Sequence, residues 1–273
     1  MQIMRITEQE SAYHDLDKMP VREILEGINR EDHRVADAVA EVIPQIEQLA
    51  TEIERRMKRG GRLFYLGAGT SGRLGVLDAS EIPPTFGMPN TLVIGLIAGG
   101  EKALRNPVES AEDDEKQGWK ELQEHGVNKK DTVVGIAASG TTPYVVGALR
   151  EARSRGILTA AITNNPESVM TEVADIAIVP VVGPEFVTGS TRMKSGTSQK
   201  MVLNMLTTSV MIRLGRVKGN RMVNMQLTNE KLVDRGTRML VDELGVGYDE
   251  AKHLLLLHGS VNDALEAYRS NDY

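Results

Sequence analysis

After Gly60-Gly61 the chain settles into an alternation that leaves few folds open. Short runs rich in branched and aliphatic residues, near 62–66, 91–97, 132–137, 157–163 and 175–181, read as strands. Between and after them, stretches near 71–78, 109–124, 143–155 and 192–215 repeat apolar residues every three or four positions and read as helices. A strand, helix, strand rhythm needs crossover connections, so the strands run parallel and helices cover both faces. Five strands predict an α/β fold, a doubly wound five-stranded parallel sheet in the flavodoxin-like order 2-1-3-4-5. In that order ligands bind at the carboxyl ends of the first and third strands, where the winding direction reverses.

The flanks are helical. Val35, Val39, Val42, Ile46, Leu49, Ile53 and Met57 recur at helical spacing between Val21 and Arg59, with Pro44 predicting a kink or break. Residues 1–20 are polar and irregular and read as an arm outside the core. Beyond Asn220, Leu227 to Leu240, Asp249 to His258 and Ser260 to Arg269 read as a small three-helix appendage similar to a ubiquitin-associated-type bundle. The expected organisation is residues 1–59 as arm and helices on the core, 60–220 as the sheet domain and 221–273 as the appendage.

Composition excludes several classes. With no Cys, thiolate chemistry, disulfides and Cys-based zinc sites are out. A net charge of −6 without a strong basic patch argues against nucleic acid as a partner. The cluster Arg55-Arg56-Met57-Lys58-Arg59 sits at the end of a helix pattern, where cations favour the helix dipole. No apolar run approaches the roughly 18 residues of a membrane span, and the first residues lack a leader's apolar segment. A cytoplasmic protein without membrane attachment is expected.

Chemistry concentrates in three turns. Leu63 to Leu66 run into Gly67-Ala68-Gly69-Thr70-Ser71-Gly72, where backbone N–H groups and the hydroxyls of Thr70 and Ser71 meet a helix N-terminus, a setting that favours a phosphate. The third strand ends in Ala138-Ser139-Gly140-Thr141-Thr142-Pro143, a second turn of this kind. Either turn alone is a routine cap; two at the predicted crevice point to one shared ligand. A third segment, 183–200, carries Ser190, Thr191, Arg192, Lys194 and Ser195, which suit a sugar phosphate and fit helix capping equally well. Asp78 and Glu81 precede Pro83-Pro84, which places a carboxyl in a stiff segment near the first turn. The five scattered His give no metal site, the first turn lacks the Lys of a Walker loop, and no cofactor is expected.

The turns GAGTSG and ASGTT, closed by GPE…STRMKSGTSQK, resemble the sugar isomerase (SIS) domain, which binds phosphosugars. More narrowly, LGAGTSGRLGVLDASEIPPTFG, GLIAGGEKALRNPVESAEDDE, GIAASGTTPYV and TGSTRMKSGTSQKMVLNML are similar to the N-acetylmuramic acid 6-phosphate etherase family, from about Thr7 to the C-terminus. The resemblance implies cleavage of the D-lactyl ether of N-acetylmuramic acid 6-phosphate to N-acetylglucosamine 6-phosphate and D-lactate in cell-wall recycling. It places the catalytic acid on Glu81 and a second active-site glutamate on Glu112, in an acidic run, Glu109 to Glu115, otherwise read as a solvated helix face. Phosphate-binding hydroxyls fall on Ser71, Ser139 and Thr142. Ile82 stands where the family has Cys, and Thr141 where it commonly has Arg.

In the open-chain sugar the C2 proton lies beside an aldehyde. A base removes it, an acid protonates the departing lactate oxygen and water adds back, work for two carboxyls without a metal. A protonated Glu81 calls for burial beside Ile82, Pro83 and Phe86 to raise its pKa. Two rivals share the fold: a phosphosugar isomerase, which moves the same proton to C1, and a non-catalytic sensor resembling the glucokinase regulatory protein, against which the presence of both glutamates speaks. SIS domains commonly complete their sites across a subunit boundary, so a homodimer is expected.

Overall fold

A computed structural model describes residues 5–108, 110–227 and 229–270. In chain order the elements are α1 (Val21–Ala40), α2 (Ile43–Met57), β1 (Leu63–Gly67), α3 (Gly69–Phe86), β2 (Val93–Ile97), α4 (Gly100–Arg105), α5 (Gln117–Glu124), β3 (Thr132–Ile136), α6 (Pro143–Ser154), β4 (Leu158–Ile162), α7 (Val169–Val173), β5 (Ile176–Ile178) and α8 (Lys194–Arg213). A two-stranded hairpin, β6 (Val217–Lys218) and β7 (Arg221–Met222), and helices α9 (Glu230–Leu244), α10 (Tyr248–His258) and α11 (Val261–Ser270) complete the chain. Backbone contacts divide it into two compact units, residues 1–79 with 93–210 and residues 80–92 with 211–273.

In the first unit the five strands are parallel in the order β2-β1-β3-β4-β5, as the alternation predicts. Burial follows from it: every residue of β1 and β3 is covered, because helices lie on both faces. Phe64 and Leu66 of β1 share a core with Tyr144, Val145, Ala148 and Leu149 of α6. Tyr65 points the other way, and a Cβ on Gly75 of α3 would come 3.0 Å from it. Helices α3 and α6 therefore occupy opposite faces, as right-handed crossovers to either side of the β1/β3 pair require. Gly67 of β1 is the register partner of Ile136 of β3, so the turns that follow leave the same edge of the sheet side by side.

Helix prediction holds with instructive exceptions. Pro44 sits at the second position of α2, where its missing N–H is no loss, and the expected break falls at Glu41–Val42. Pro83 and Pro84 lie within the last turns of α3, which ends at Phe86 with Gly87 at a φ of +65° donating its N–H to the Pro83 carbonyl. The segment 109–124 forms a short helical turn at Ala111–Asp113 and then α5; Glu109 lies outside the described residues.

The N-terminal arm differs from expectation. Thr7 and Ser11 are buried, and the arm is hydrogen-bonded into the first unit. Asn165 Nδ2 donates to Thr7 Oγ1 at 2.9 Å while the Thr7 N–H donates to Asn165 Oδ1 at 3.3 Å. Ser11 donates its hydroxyl to the Phe186 carbonyl at 2.8 Å and its N–H to Thr188 Oγ1 at 3.0 Å. These partners lie far along the chain, so nothing local in residues 5–20 announces them.

In the second unit Leu240 of α9, Leu254 and Leu255 of α10, and Val261 and Leu265 of α11 close on Val223 and Met225. Asn229 caps α9, accepting from the Leu232 N–H at 2.9 Å, and Gly245 ends it at a φ of +69°.

Asn165 ties the arm to the β3–α6 turn, donating as well to the carbonyls of Ala138 at 3.0 Å and Ser139 at 3.3 Å. Asn165→Ala leaves those groups buried and unsatisfied, so a loss of roughly 2–3 kcal/mol is expected in urea unfolding, with earlier proteolytic cutting of the arm.

Candidate active site

The β1–α3 turn is shaped by two glycines. A Cβ at Gly67 would lie 2.6 Å from the Gly72 nitrogen, and one at Gly72 would lie 2.6 Å from the Gly67 carbonyl oxygen. Only glycine at both positions lets the end of β1 touch the first turn of α3. In the β3–α6 turn Gly140 adopts a φ of +70°, and its carbonyl accepts from the Met170 N–H at 3.0 Å.

The structure places the hydroxyls of these turns differently. Ser71 is buried and donates to Gln199 Oε1 of α8 at 2.8 Å, so its proton points toward α8. Gln199 Nε2 in turn donates to Asn164 Oδ1 at 3.4 Å, and Asn164 Nδ2 to Ser198 Oγ at 2.9 Å. Thr70 is half-buried at the start of α3. Ser139 Oγ accepts from the N–H and the hydroxyl of Thr141, both at 3.3 Å, which leaves its own proton to donate. Thr142 precedes α6 without spending its side chain on the cap. The Ser139, Thr141 and Thr142 hydroxyls are thus gathered at the mouth of β3, beside the β1 turn.

The third segment has another construction. Glu185 is 1% exposed and accepts from the Lys194 N–H at 2.9 Å, the Ser195 N–H at 2.9 Å and the Ser195 hydroxyl at 2.8 Å. An internal carboxylate therefore occupies the N-terminus of α8. Lys194, also 1% exposed, sets its Nζ 2.6 Å from Glu31 Oε2. Burial opposes ionisation of Glu31, but the hydrogen bond and charge of Lys194, helped by Arg34 and Tyr13, outweigh it and hold the carboxyl below its usual value. Ser190 and Thr191 are half-buried and Arg192 is exposed. Sequence reasoning missed Glu31, which lies in no motif, and gave no role to Glu185 and Gln199, although both fall within GPE…STRMKSGTSQK.

Of the two glutamates, Glu112 lines a cleft of about 250 Å³ at the carboxyl ends of β1 and β2, together with Ala68 and Gly69 of the first turn, Arg73, Ala98 and Val108. Glu81 is exposed while its neighbours Ile82 and Phe86 are buried, so the burial expected of its carboxyl is not found within the chain. That environment belongs to Asp78. Burial pushes the Asp78 carboxyl up to about 6, against the pull of a hydrogen bond from Thr207 Oγ1 at 3.1 Å and the nearby Tyr65 and Lys200. Tyr65 sits close enough to act on Asp78, yet neither its hydroxyl nor Asp78 Oδ2 has a partner in hydrogen-bonding geometry. Among the described residues no three His, Cys, Asp or Glu side chains gather as a metal set, and no helix is long and apolar enough to cross a membrane.

A raised Asp78 pKa means that the folded state holds a proton the unfolded chain has lost between about pH 4 and 6. Its contribution to stability is therefore present below the ordinary aspartate pKa and is lost as pH rises through about 6. Asp78→Asn removes this dependence, so the stability of the variant relative to the parent is expected to rise by on the order of 2 kcal/mol between pH 4 and 7. Parallel pH profiles in chemical unfolding contradict that environment.

Comparison with known proteins gives these features a context. Residues 106–209 match the SIS domain model and residues 41–153 match the glucokinase regulatory protein N-terminal SIS domain model. Solved structures similar in fold include a phosphoheptose isomerase from Francisella tularensis, at a TM-score of 0.54 and 16% identity, covering 70% of this chain and 98% of that one. Another, from Neisseria gonorrhoeae, has a TM-score of 0.54 and 17% identity, covering 72% of this chain and 100% of that one. An N-acetylmuramic acid 6-phosphate etherase of Bacteroides fragilis is 70% identical over 267 residues, 98% of this chain and 95% of that one. One of Porphyromonas gingivalis is 67% identical over 265 residues, 97% of each. With that identity sustained along nearly the full length of both partners, this chain belongs to the N-acetylmuramic acid 6-phosphate etherase family.

Proposed function

We propose that the chain is a carbon–oxygen lyase that cleaves the D-lactyl ether of N-acetylmuramic acid 6-phosphate, giving N-acetylglucosamine 6-phosphate and D-lactate in the recycling of cell-wall amino sugars. The observation that carries this reading is the 67–70% identity, over nearly whole chains, to relatives named for that activity. The site supports it with paired hydroxyl-bearing turns at the β1/β3 switch point and a glutamate in the adjoining cleft.

In the open-chain sugar Glu112 takes the C2 proton, whose electron pair forms the C2–C3 double bond as the C3–O bond breaks. Glu81 gives its proton to the leaving lactate oxygen, then removes one from the water that adds at C3. The proton returned to C2 completes N-acetylglucosamine 6-phosphate. Ser139 and Thr142, whose hydroxyls are not committed to capping, hold the phosphate. The buried Lys194, facing Glu31, holds α8 in place. Ser71, Thr70, Thr141 and Ser190 complete the polar lining, Ser71 by turning its proton from Gln199 to substrate.

Purified protein incubated with N-acetylmuramic acid 6-phosphate is expected to release D-lactate. Glu81→Gln and Glu112→Gln are each expected to slow turnover by about 100-fold or more. Near-native turnover in either variant removes that residue from the scheme, and release of no lactate by the parent favours an isomerase or a sensor.

The cytoplasm is the compartment where this substrate and a Cys-free chain fit together, and we place the enzyme there as a homodimer. Val21 and Leu25, one turn apart on α1, are 72% and 61% exposed, an apolar pair suited to a subunit contact. Sedimentation at micromolar concentration is expected to give twice the mass of the chain; an active monomer contradicts the dimer.

A further inference from the structure

The proposed substrate carries two anions, the phosphate on C6 and the carboxylate of the lactyl group on C3. A carboxylate drawn from water into a cleft needs a charged or multiple hydrogen-bond partner. The cleft that holds Glu112 offers one: its charged lining residues are Glu112 and Arg73.

Arg73 is already held in place. It lies in the second turn of α3, half-buried, with Nε donating to the Leu104 carbonyl at 3.0 Å and Nη2 to the Ala103 carbonyl at 2.7 Å. The acceptors belong to the end of α4, where carbonyls lack helical donors. These two bonds use the side-on edge of the guanidinium. A guanidinium has five N–H donors in a planar fork, and the end-on pair, from Nη1 and the second hydrogen of Nη2, has no partner among the described residues. Glu112 lines the same cleft without forming an ion pair to it. A fork fixed on one edge and open on the other is a preorganised receptor for a planar two-oxygen anion.

We infer that Arg73 takes the lactyl carboxylate through its open edge and so distinguishes the ether substrate from phosphosugars that lack that group. The inference rests on the etherase reading and adds a specificity-determining residue to it. Chemistry favours the carboxylate over the phosphate as occupant. The proton assigned to Glu112 is on C2, one bond from the C3 that bears the lactyl ether, whereas the phosphate lies at the far end of the sugar. The hydroxyls of Ser139 and Thr142, suited to the phosphate, do not line this cleft. A dianion beside Glu112 would also be repelled more than a monoanion. When the C3–O bond breaks, its electrons leave with the lactate oxygen, which takes the proton from Glu81; the carboxylate is unchanged, and Arg73 holds the leaving group until release.

The test compares kcat/KM for N-acetylmuramic acid 6-phosphate with that for its lactyl carboxamide, which keeps the phosphate, the ether and the C2 proton but not the charge. The parent enzyme is expected to prefer the acid by about 10- to 100-fold. In Arg73→Gln the preference falls to near unity while cleavage of the amide persists. Arg73→Lys, which keeps a cation but loses the fork, retains part of the preference and covers the case in which the Gln variant folds poorly. An unchanged preference in either variant overturns the inference, as does an equal loss on both substrates, which assigns Arg73 to the phosphate or to the α4 contact alone. A parent enzyme that cleaves neither substrate overturns the etherase reading instead.

Discussion

Gly67 of β1 faces Ile136 of β3 in a parallel pair, and the rest of the molecule's chemistry follows from that register. Because the strands run in the same direction and end together, the turns after them emerge from one edge of the sheet. The helices they start must diverge to opposite faces, α3 over Tyr65 and α6 over Phe64 and Leu66. Divergence opens a crevice that continuous winding would fill. It also aims helix N-termini and small hydroxyl-bearing residues into that crevice, where an anion is favoured. A shift of register by one residue would turn every side chain of β1 to the other face.

Around this edge the protein keeps charged and polar side chains buried. Glu185 satisfies the first N–H groups of α8, Lys194 and Glu31 form a pair almost without solvent, and Gln199 links Ser71 to Asn164. A buried ion pair is weak as a source of stability, because desolvation consumes most of its attraction. Its geometry is demanding, however, and removal of either partner strands a charge. The network fixes where α8 begins relative to the first turn, a more specific outcome than apolar packing of the same volume would give. Asp78 is the counterexample: its carboxyl is covered with one oxygen unpartnered, and it keeps its proton to a higher pH instead.

Sheet order and both hydroxyl turns were legible in the sequence because they depend on local signals: strand-length apolar runs, helical spacing and Gly-Ser-Thr turns. Helices α4 and α7 and the β6–β7 hairpin were missed because elements of two to six residues are too short to show a period. Burial of the arm was illegible for another reason. Thr7 and Ser11 are polar and aperiodic, and they are held by Asn165, Phe186 and Thr188, more than 150 residues away. Lys194 read as a cation available to a phosphate, since no pattern announces that Glu31, on a helix 163 residues earlier, will neutralise it. The environment expected for Glu81 was found at Asp78, three residues earlier on the same helix; spacing in the sequence does not say which carboxyl the core covers.

Elimination followed by hydration breaks a carbon–oxygen bond at C3 of the sugar and remakes it with water. Turnover in water enriched in oxygen-18, followed by mass spectrometry of both products, tests it most directly. The expected result is label at C3 of N-acetylglucosamine 6-phosphate, with D-lactate unlabelled. Label in the lactate instead would mean cleavage on the lactyl side of the ether oxygen and would rule out elimination at C3.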